Sequence, residues 1–147
     1  MKLSTKGRYA VMAVADLARH SEGKPVALAD IASRQEISLS YLEQLFAKLR
    51  RGAVVESVRG PGGGYRLARD ASEIRVADVI MAVDEPIKAT RCEKGSPRGC
   101  LHSSARCITH DLWDELSHQI HMFLSAISFA DVVEGRVSQR SAGFVQM

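Results

Sequence analysis

The chain has 147 residues, of which 46% are hydrophobic and 25% are charged, and its formal net charge is +3. This composition is typical of a soluble globular protein with one domain, or a small domain with an appended element, which buries a core without a disulfide framework. No segment approaches the roughly 20 apolar residues that a membrane-spanning helix requires.

The N-terminal sequence favours a cytoplasmic protein. Residues 1–17 start with a basic region, but they contain no small-residue cleavage site, and their apolar residues are spaced like one face of a helix. This pattern argues against a signal peptide. In the reducing cytoplasm, the three cysteines are expected to be ligands or free thiols rather than disulfide partners.

Basic charge is concentrated in the N-terminal half of the chain. Residues 1–70 contain twelve Lys and Arg against seven Asp and Glu, whereas residues 71–147 contain eight against ten. The densest basic stretch comprises Lys48, Arg50, Arg51, Arg59, Arg66 and Arg69. Such an asymmetry is expected where one part of a protein faces phosphates, although a solvated basic face is the simpler alternative.

Two helices are predicted at the start of the chain. The first is capped by Ser4 or Thr5 and stops at the sequence SEGKP, residues 21–25, and the second covers residues 28–35. The following turn carries Glu36 where Gly is often found. This substitution has a modest local cost if Glu36 adopts a left-handed conformation.

A third, amphipathic helix is predicted after this turn. It opens at Ser38 or Ser40, and Ser40 and Glu43 have the spacing of a capping box. Its core side comprises Leu42, Leu45, Phe46 and Leu49, and its outer side comprises Tyr41, Glu43, Gln44, Ala47 and Lys48. Two helices, a tight turn and this third helix together predict a helix-turn-helix.

The next segment is predicted to be a β-hairpin wing. An alternating strand over residues 54–58 leads to a Gly-Pro-Gly tip, and a second strand returns over residues 65–67. A phosphate-binding loop is excluded because no Lys-Ser or Lys-Thr pair follows the glycines and no helix begins there. A plain surface hairpin is the alternative. The predicted fold class is mainly α with a small β-hairpin wing, a winged helix-turn-helix domain.

This fold suggests which residues meet DNA. The third helix is narrow enough for the major groove, and the residues predicted to reach base edges or phosphates there are Ser38, Ser40, Tyr41, Glu43 and Gln44. Phosphate contacts are predicted from Lys48, Arg50 and Arg51, and Arg59 at the wing tip is predicted to enter the minor groove.

Glu43 is the most informative residue of this set. A carboxylate is costly near DNA phosphates, yet it can accept a hydrogen bond from cytosine N4 and so discriminate between sites. The alternative is that Glu43 only completes the capping box with Ser40.

Two further helices are predicted in the C-terminal half. A short one has apolar residues at Val76, Val79, Ile80 and Val83 and is ended by Pro86. A long one runs from about Thr109 to Ser128, with an apolar stripe comprising Ile108, Leu112, Leu116, Ile120, Phe123, Leu124 and Ile127 and with Trp113 beside it.

The long stripe predicts dimerisation. A small winged domain offers little core to cover it, whereas two such helices across a two-fold axis bury it and place two winged domains on a pseudo-palindromic site. The alternative is a helix that packs only on its own domain.

All three cysteines lie in the loop between these two helices. Seven residues separate Cys92 from Cys100, six separate Cys100 from Cys107, and His110 follows after two more. Three thiolates and one imidazole complete a tetrahedral ligand set, for which zinc and iron-sulfur clusters are the candidates. The wide spacing favours a two-iron cluster over zinc, and free thiols are the third alternative.

The chain resembles the IscR family of bacterial iron-sulfur cluster regulators. The resemblance covers the chain from Met1 to about Val133 and is carried by the segments KLSTKGRYAV, ISLSYLEQLF, SVRGPGGGY, AVDE, ATRC and CITHDLW. It implies a homodimeric transcription factor, not an enzyme, that binds a 2Fe-2S cluster through Cys92, Cys100, Cys107 and His110. It also implies repression of cluster-assembly genes when the cluster is present.

Four regions are expected on this basis. They are a DNA-binding winged helix-turn-helix over residues 1–83, a cluster-binding loop over 84–108, a dimerisation helix region over 109–134 and a flexible tail over 135–147. His102 is an alternative to His110 as the fourth ligand. A zinc-stabilised winged-helix regulator that senses another signal is the alternative function.

Overall fold

The computed structural model describes residues 4–92 and 98–139. Its elements, in chain order, are α1 (Thr5–His20), α2 (Leu28–Gln35), α3 (Leu39–Arg51), β1 (Val55–Val58), β2 (Gly64–Leu67), α4 (Val76–Ala82), α5 (His110–Ala126) and α6 (Phe129–Val133). This order confirms the predicted fold class. None of the helices in the described ranges is both long and apolar enough to cross a membrane.

The helix-turn-helix is formed by α1, α2 and α3. Glu36 has φ 55° and ψ 47°, so this residue is left-handed and the modest local cost of a non-glycine residue applies here. The N-cap of α3 is Ser38, whose Oγ accepts a hydrogen bond from the Tyr41 backbone N–H at 3.4 Å. The predicted capping box between Ser40 and Glu43 is wrong, because Ser40 already lies inside the helix.

Ser4 precedes α1 but does not cap it. It has the N-cap position, yet its side chain makes no cap hydrogen bond. Its hydroxyl instead contacts the Glu85 carboxylate, which also accepts from the Ser4 backbone N–H at 3.2 Å. The predicted cap is therefore replaced by a long-range contact that ties the start of α1 to the segment after α4.

A buried ion pair locks α1 to α2. The Asp16 carboxylate accepts from Arg34 Nη2 at 2.7 Å and Nε at 3.0 Å, and from Gln35 Nε2 at 2.8 Å. Burial alone would raise the pKa of Asp16, but the hydrogen bonds from Arg34 and Gln35 outweigh it and hold the pKa below its usual value.

Replacing Asp16 with Ala is expected to destabilise the fold by about 2–3 kcal/mol. This is less than for a fully buried pair, because Arg34 keeps access to water. Since the folded pKa is below the unfolded one, the stabilisation is present above about pH 4 and is lost as the pH falls through the folded value. Urea unfolding at pH 7 and pH 3 checks both statements. Replacement of the exposed Asp114 with Ala is the control, and equal effects of the two changes at pH 7 would contradict the assignment.

The wing is an antiparallel hairpin anchored on the helical core. Strands β1 and β2 pair from Val55 with Leu67 to Val58 with Gly64, and Tyr65 exchanges two backbone hydrogen bonds of 2.8 Å with Val26. The Tyr65 ring packs edge-on against Phe46 of α3, at a centroid distance of 4.9 Å. These contacts fix the wing relative to α3.

Gly64 permits the close approach of the wing to the chain before α2. Its φ is 154°, and a Cβ at this position would collide with the Val26 carbonyl. Only glycine fits without moving the backbone.

The core joins the helix-turn-helix to the C-terminal part of the chain. Its largest fully buried side chains include Phe46, Leu17, Ile31, Leu42, Ile80 and Phe129. After α5 the chain turns back, where Val76 N–H donates to the Ile127 carbonyl at 2.9 Å and Phe129 N–H donates to the Ile74 carbonyl at 3.0 Å. Helix α6, which the sequence did not predict as a separate element, then packs on α1.

This return divides the long apolar stripe. Helix α5 ends at Ala126, and Ile127 is extended and 2% exposed in the core. Phe123 and Leu124 also pack against the core, whereas Leu112 is 59% exposed. The C-terminal end of the predicted stripe is therefore covered by the chain's own domain, and its N-terminal part is open.

The end of α4 and the start of the expected tail also differ from the prediction. Helix α4 ends at Ala82, before Pro86, because Asp84 takes a left-handed conformation with φ 60°. In the expected tail, Val137 packs against the core, and residues 140–147 lie outside the described residues.

Candidate functional site

The start of α3 presents the side chains predicted to read DNA. Ser40, Glu43 and Gln44 are exposed, and the Ser38 and Ser40 hydroxyl oxygens lie 3.0 Å apart. Tyr41 is half-buried, because its ring packs edge-on against Tyr9 of α1 at a centroid distance of 6.0 Å. Since the capping box is not formed, the exposed Glu43 side chain does not serve as a helix cap.

The basic residues at the end of α3 have two different environments. Arg50 and Arg51 are exposed. Lys48 is half-buried, and its Nζ lies 3.1 Å from Asp84 Oδ2. Sequence reasoning missed Asp84, whose only signal was an acidic residue directly after an apolar helix. The phosphate contact predicted for Lys48 would have to compete with this ion pair.

The wing carries two exposed arginines with different surroundings. Arg66 Nε donates to Glu56 Oε2 at 3.0 Å across the hairpin, so its charge is locally balanced. Arg59 lies just before the glycine tip. Its exposed position beside the tip is compatible with the predicted minor-groove contact.

Replacing Arg59 with Ala is expected to weaken operator binding about tenfold and to reduce the slope of log affinity against log salt by about one, because one phosphate or groove contact is lost. The matched control is Arg66→Ala, which removes an arginine already paired on the same wing. Fluorescence anisotropy with a labelled duplex at several salt concentrations measures both variants. Equal losses for both variants would remove the special role of Arg59.

Two cysteines and one histidine converge in the loop between α4 and α5. Cys100 Sγ lies 3.1 Å from His110 Nδ1, Cys92 Sγ lies 3.4 Å from the same nitrogen, and the two sulfurs are 3.8 Å apart. His110 and Cys100 are both 8% exposed, and Cys92 is half-buried. Among the described residues, these three form a candidate metal-ligand group.

The sulfur–sulfur distance of 3.8 Å is that of two ligands sharing one metal, whereas the sulfur–nitrogen distances of 3.1 and 3.4 Å are those of hydrogen-bond contacts. A tetrahedral ion with sulfurs at about 2.3 Å places neighbouring sulfurs about 3.8 Å apart. The donor set, thiols with one imidazole, is the soft set that zinc and iron-sulfur clusters prefer. The residues therefore fit a metal or a cluster.

Cys107 lies beside this group but is not part of it. It interacts with Cys100, and its Sγ is 3.6 Å from the Thr109 hydroxyl. The hydrogen bond with Thr109, together with that from Cys100, lowers the pKa of Cys107. For Cys100, a hydrogen bond from the Cys107 backbone favours the thiolate, but loss of solvent and the Cys107 and Cys92 side chains outweigh it, so the pKa of Cys100 is raised. The four predicted ligands thus have unequal positions.

A tight turn presents Cys100 to His110. Gly99 N–H donates to the Ser104 carbonyl and Leu101 N–H donates to the Ala105 carbonyl, each at 3.0 Å. A Cβ on Gly99 would collide with the Ala105 backbone, so glycine is required for this closure. His102 is exposed and lies outside the ligand group, which favours His110 over His102 as the imidazole ligand.

Helix α5 also forms a hydrogen bond with the segment that leads to Cys92, which we call the Cys92 arm. Ser117 Oγ accepts from the Ala89 backbone N–H at 2.6 Å and donates to the Trp113 carbonyl at 2.9 Å. Residues 93–97, which connect this arm to the Cys100 turn, lie outside the described residues. Sequence reasoning missed Ser117, because a serine on a helix face gives no signal of a long-range partner.

Comparisons with known proteins agree with this architecture. The Rrf2 family, described as "Iron-dependent Transcriptional regulator", matches residues 3–135. The chain is 62% identical over 133 residues to the HTH-type transcriptional regulator ORF2 of Azotobacter vinelandii, covering 90% of this chain and 79% of the relative. It is 57% identical over 136 residues to the HTH-type transcriptional regulator IscR of Photorhabdus laumondii, covering 92% and 81%.

A solved structure extends the likeness to three dimensions. "T. potens IscR" superposes with a TM-score of 0.74 at 38% identity, covering 92% of this chain and 88% of that chain. These matches confirm the resemblance drawn from the sequence, the winged-helix fold and the expectation that the chain is not an enzyme. The chain belongs to the Rrf2 family and is an IscR-like, DNA-binding transcription regulator.

Proposed function

We propose that the protein is a homodimeric, cytoplasmic regulator that senses iron-sulfur cluster status and controls, chiefly by repression, the genes for cluster assembly. Its sensor is a 2Fe-2S cluster held by Cys92, Cys100, Cys107 and His110. Its target is a pseudo-palindromic operator in double-stranded DNA. The observation that carries this proposal is the convergence of Cys92, Cys100 and His110 within 4.8 Å of one another.

The position of Cys107 favours a cluster over a single zinc ion. The donor atoms of Cys92, Cys100 and His110 lie within 4.8 Å of one another, and the fourth thiol, Cys107, interacts with Cys100 but lies outside that group. A ligand set that extends beyond one coordination sphere suits two irons better than one ion. The cluster, when bound, supplies a redox-active and releasable group whose occupancy is the signal.

His110 makes the proposed site releasable. An imidazole is held less firmly than a thiolate, so one histidine among three cysteines weakens the binding of the cluster. Occupancy of the site then reports the supply of clusters.

The segment between α4 and the cysteine loop is proposed to couple the cluster site to the DNA-binding helix α3. Asp84 pairs with Lys48 of the recognition helix α3 and accepts from Lys6 Nζ at 3.3 Å through its carbonyl, while Glu85 holds Ser4. A few residues later, Ala89 is bonded to Ser117 of α5. Ordering of the loop around a cluster thereby biases the end of α3, and with it the choice of sites that Glu43 admits.

On DNA, we assign contacts with base edges or phosphates to residues at the start of α3, namely Ser38, Ser40, Tyr41, Glu43 and Gln44. Phosphate contacts are assigned to Lys48, Arg50 and Arg51, and the minor-groove contact to Arg59. We also retain the four regions, 1–83, 84–108, 109–134 and 135–147, as the functional division of the chain. The open part of α5 is the dimer surface.

The test is iron and sulfide analysis of protein purified without oxygen, followed by operator binding with the cluster present and removed. About two irons and two sulfides per chain, visible charge-transfer absorption and cluster-dependent DNA affinity are expected. Colourless protein with stoichiometric zinc would favour the zinc-stabilised regulator. Identical affinity for every operator with and without cluster would reject the sensing mechanism.

A further inference from the structure

The first residue before α5 has an unusual hydrogen-bond arrangement. Thr109 occupies the N-cap position of α5, where a threonine hydroxyl ordinarily accepts from the first turn, yet its side chain makes no cap hydrogen bond. Its Oγ1 instead accepts from Trp113 Nε1 at 3.1 Å and lies 3.6 Å from Cys107 Sγ. The Thr109 hydroxyl therefore does not cap α5 but interacts with the side chains of Trp113 and Cys107.

The direction of these hydrogen bonds follows from the groups involved. An indole N–H only donates, so the Thr109 oxygen must be the acceptor from Trp113. A hydroxyl has one proton, and a metal-bound cysteine sulfur can only accept. The Thr109 proton is then directed to Cys107, while the backbone bond from Trp113 N–H to the Thr109 carbonyl at 3.2 Å holds the two residues together.

We propose that Thr109, oriented by Trp113, donates a hydrogen bond to the sulfur of Cys107 and thereby positions this ligand and tunes the metal centre. Both are positioning residues. The inference rests on the proposed function, since it assumes that Cys107 is a ligand. A donor to a ligand sulfur stabilises the more negative, reduced state of a cluster, so it raises the reduction potential.

The tests compare Thr109→Val, which keeps the shape but removes the hydroxyl, with Thr109→Ser, which keeps the hydroxyl. Because no cap bond is lost, neither change should unfold α5. The Val variant is expected to hold its cluster at a lower midpoint potential, and the Ser variant to restore the wild-type value. Trp113→Phe, which leaves the hydroxyl unoriented, is expected to give a smaller shift in the same direction.

A second readout needs no metal. The chain has one tryptophan, so its indole N–H gives one resonance in a 15N-labelled sample. In Thr109→Val this resonance is expected to move upfield and to exchange faster with solvent, and in Thr109→Ser to stay. An unchanged resonance or an unchanged potential in the Val variant would overturn the inference, as would a Ser variant that behaves like Val.

Failure of the proposed function is distinguishable from failure of this inference. If wild-type protein takes up no iron and sulfide, the cluster proposal fails. The hydrogen bond from Thr109 to Cys107 is then tested in the Co2+ derivative. Its sulfur-to-cobalt charge-transfer band is expected to shift to longer wavelength in Thr109→Val and to be restored in Thr109→Ser. Equal bands in the two variants, or no Co2+ uptake by wild type, would overturn the inference as well.

Discussion

Replacing Cys100 with Ala is expected to abolish the visible spectrum of the anaerobically purified protein and to lower metal affinity by more than the roughly 10–100-fold that loss of an outer-shell partner of a ligand costs. Cys100 is the centre of the donor group, since its sulfur lies 3.1 Å from His110 Nδ1 and 3.8 Å from Cys92 Sγ and also interacts with Cys107. No other cysteine has three such neighbours among the described residues.

The control for this change is His102→Ala, two residues further along the same loop. His102 is exposed and outside the ligand group, so its loss should leave iron content and spectrum unchanged. Circular dichroism and sedimentation show whether fold and dimer survive in both variants. Colour retained by the Cys100 variant, or lost by the His102 variant, would contradict the ligand assignment.

Replacing Leu112 with Asp is expected to convert the protein to a monomer and to weaken operator binding by about 100-fold or more. Leu112 is 59% exposed in the single chain, and Ile108 beside it is fully exposed, so a charge there costs the isolated fold little. In a dimer interface the same charge would be buried without a partner, at a cost of several kcal/mol. A monomer has only one winged domain for two half-sites, which explains the loss of affinity.

Analytical ultracentrifugation and DNA titration measure the two parts of this prediction. The matched control is His118→Asp, which places the same charge at an exposed position on a different side of α5. It should remain dimeric and bind the operator. A Leu112 variant that stays dimeric would assign the dimer surface to another part of the chain.

Periodicity identified the local elements well. The second helix was predicted at the residues it occupies, and the buried face of α3, comprising Leu42, Leu45, Phe46 and Leu49, is buried as predicted. These features depend on interactions within a few residues, so a spacing of three or four apolar residues is enough to fix them. The errors fell at element ends, as with Ser40 and Pro86, where a single hydrogen bond or one left-handed residue decides the boundary.

The division of the long stripe shows where periodicity fails. Leu112 and Ile127 belong to the same predicted stripe and are both large aliphatic residues, yet Leu112 is exposed and Ile127 is in the core. The difference arises from the backbone pairing of residues 74–76 with 127–129, which no local pattern encodes. An apolar stripe predicts that a helix face is buried, but only the tertiary structure shows which part of the protein buries it.

Composition and short-range spacing were enough to predict the winged helix-turn-helix, the candidate ligand types and their order in the chain. Tertiary structure alone decided that Cys92 and His110, eighteen residues apart, meet at 3.4 Å, that Cys107 stands to one side, and that Lys48 reaches Asp84. Contacts between distant residues depend on how whole elements pack. The free energy of that packing comes from the entire core, so it cannot be inferred from the sequence of any one segment.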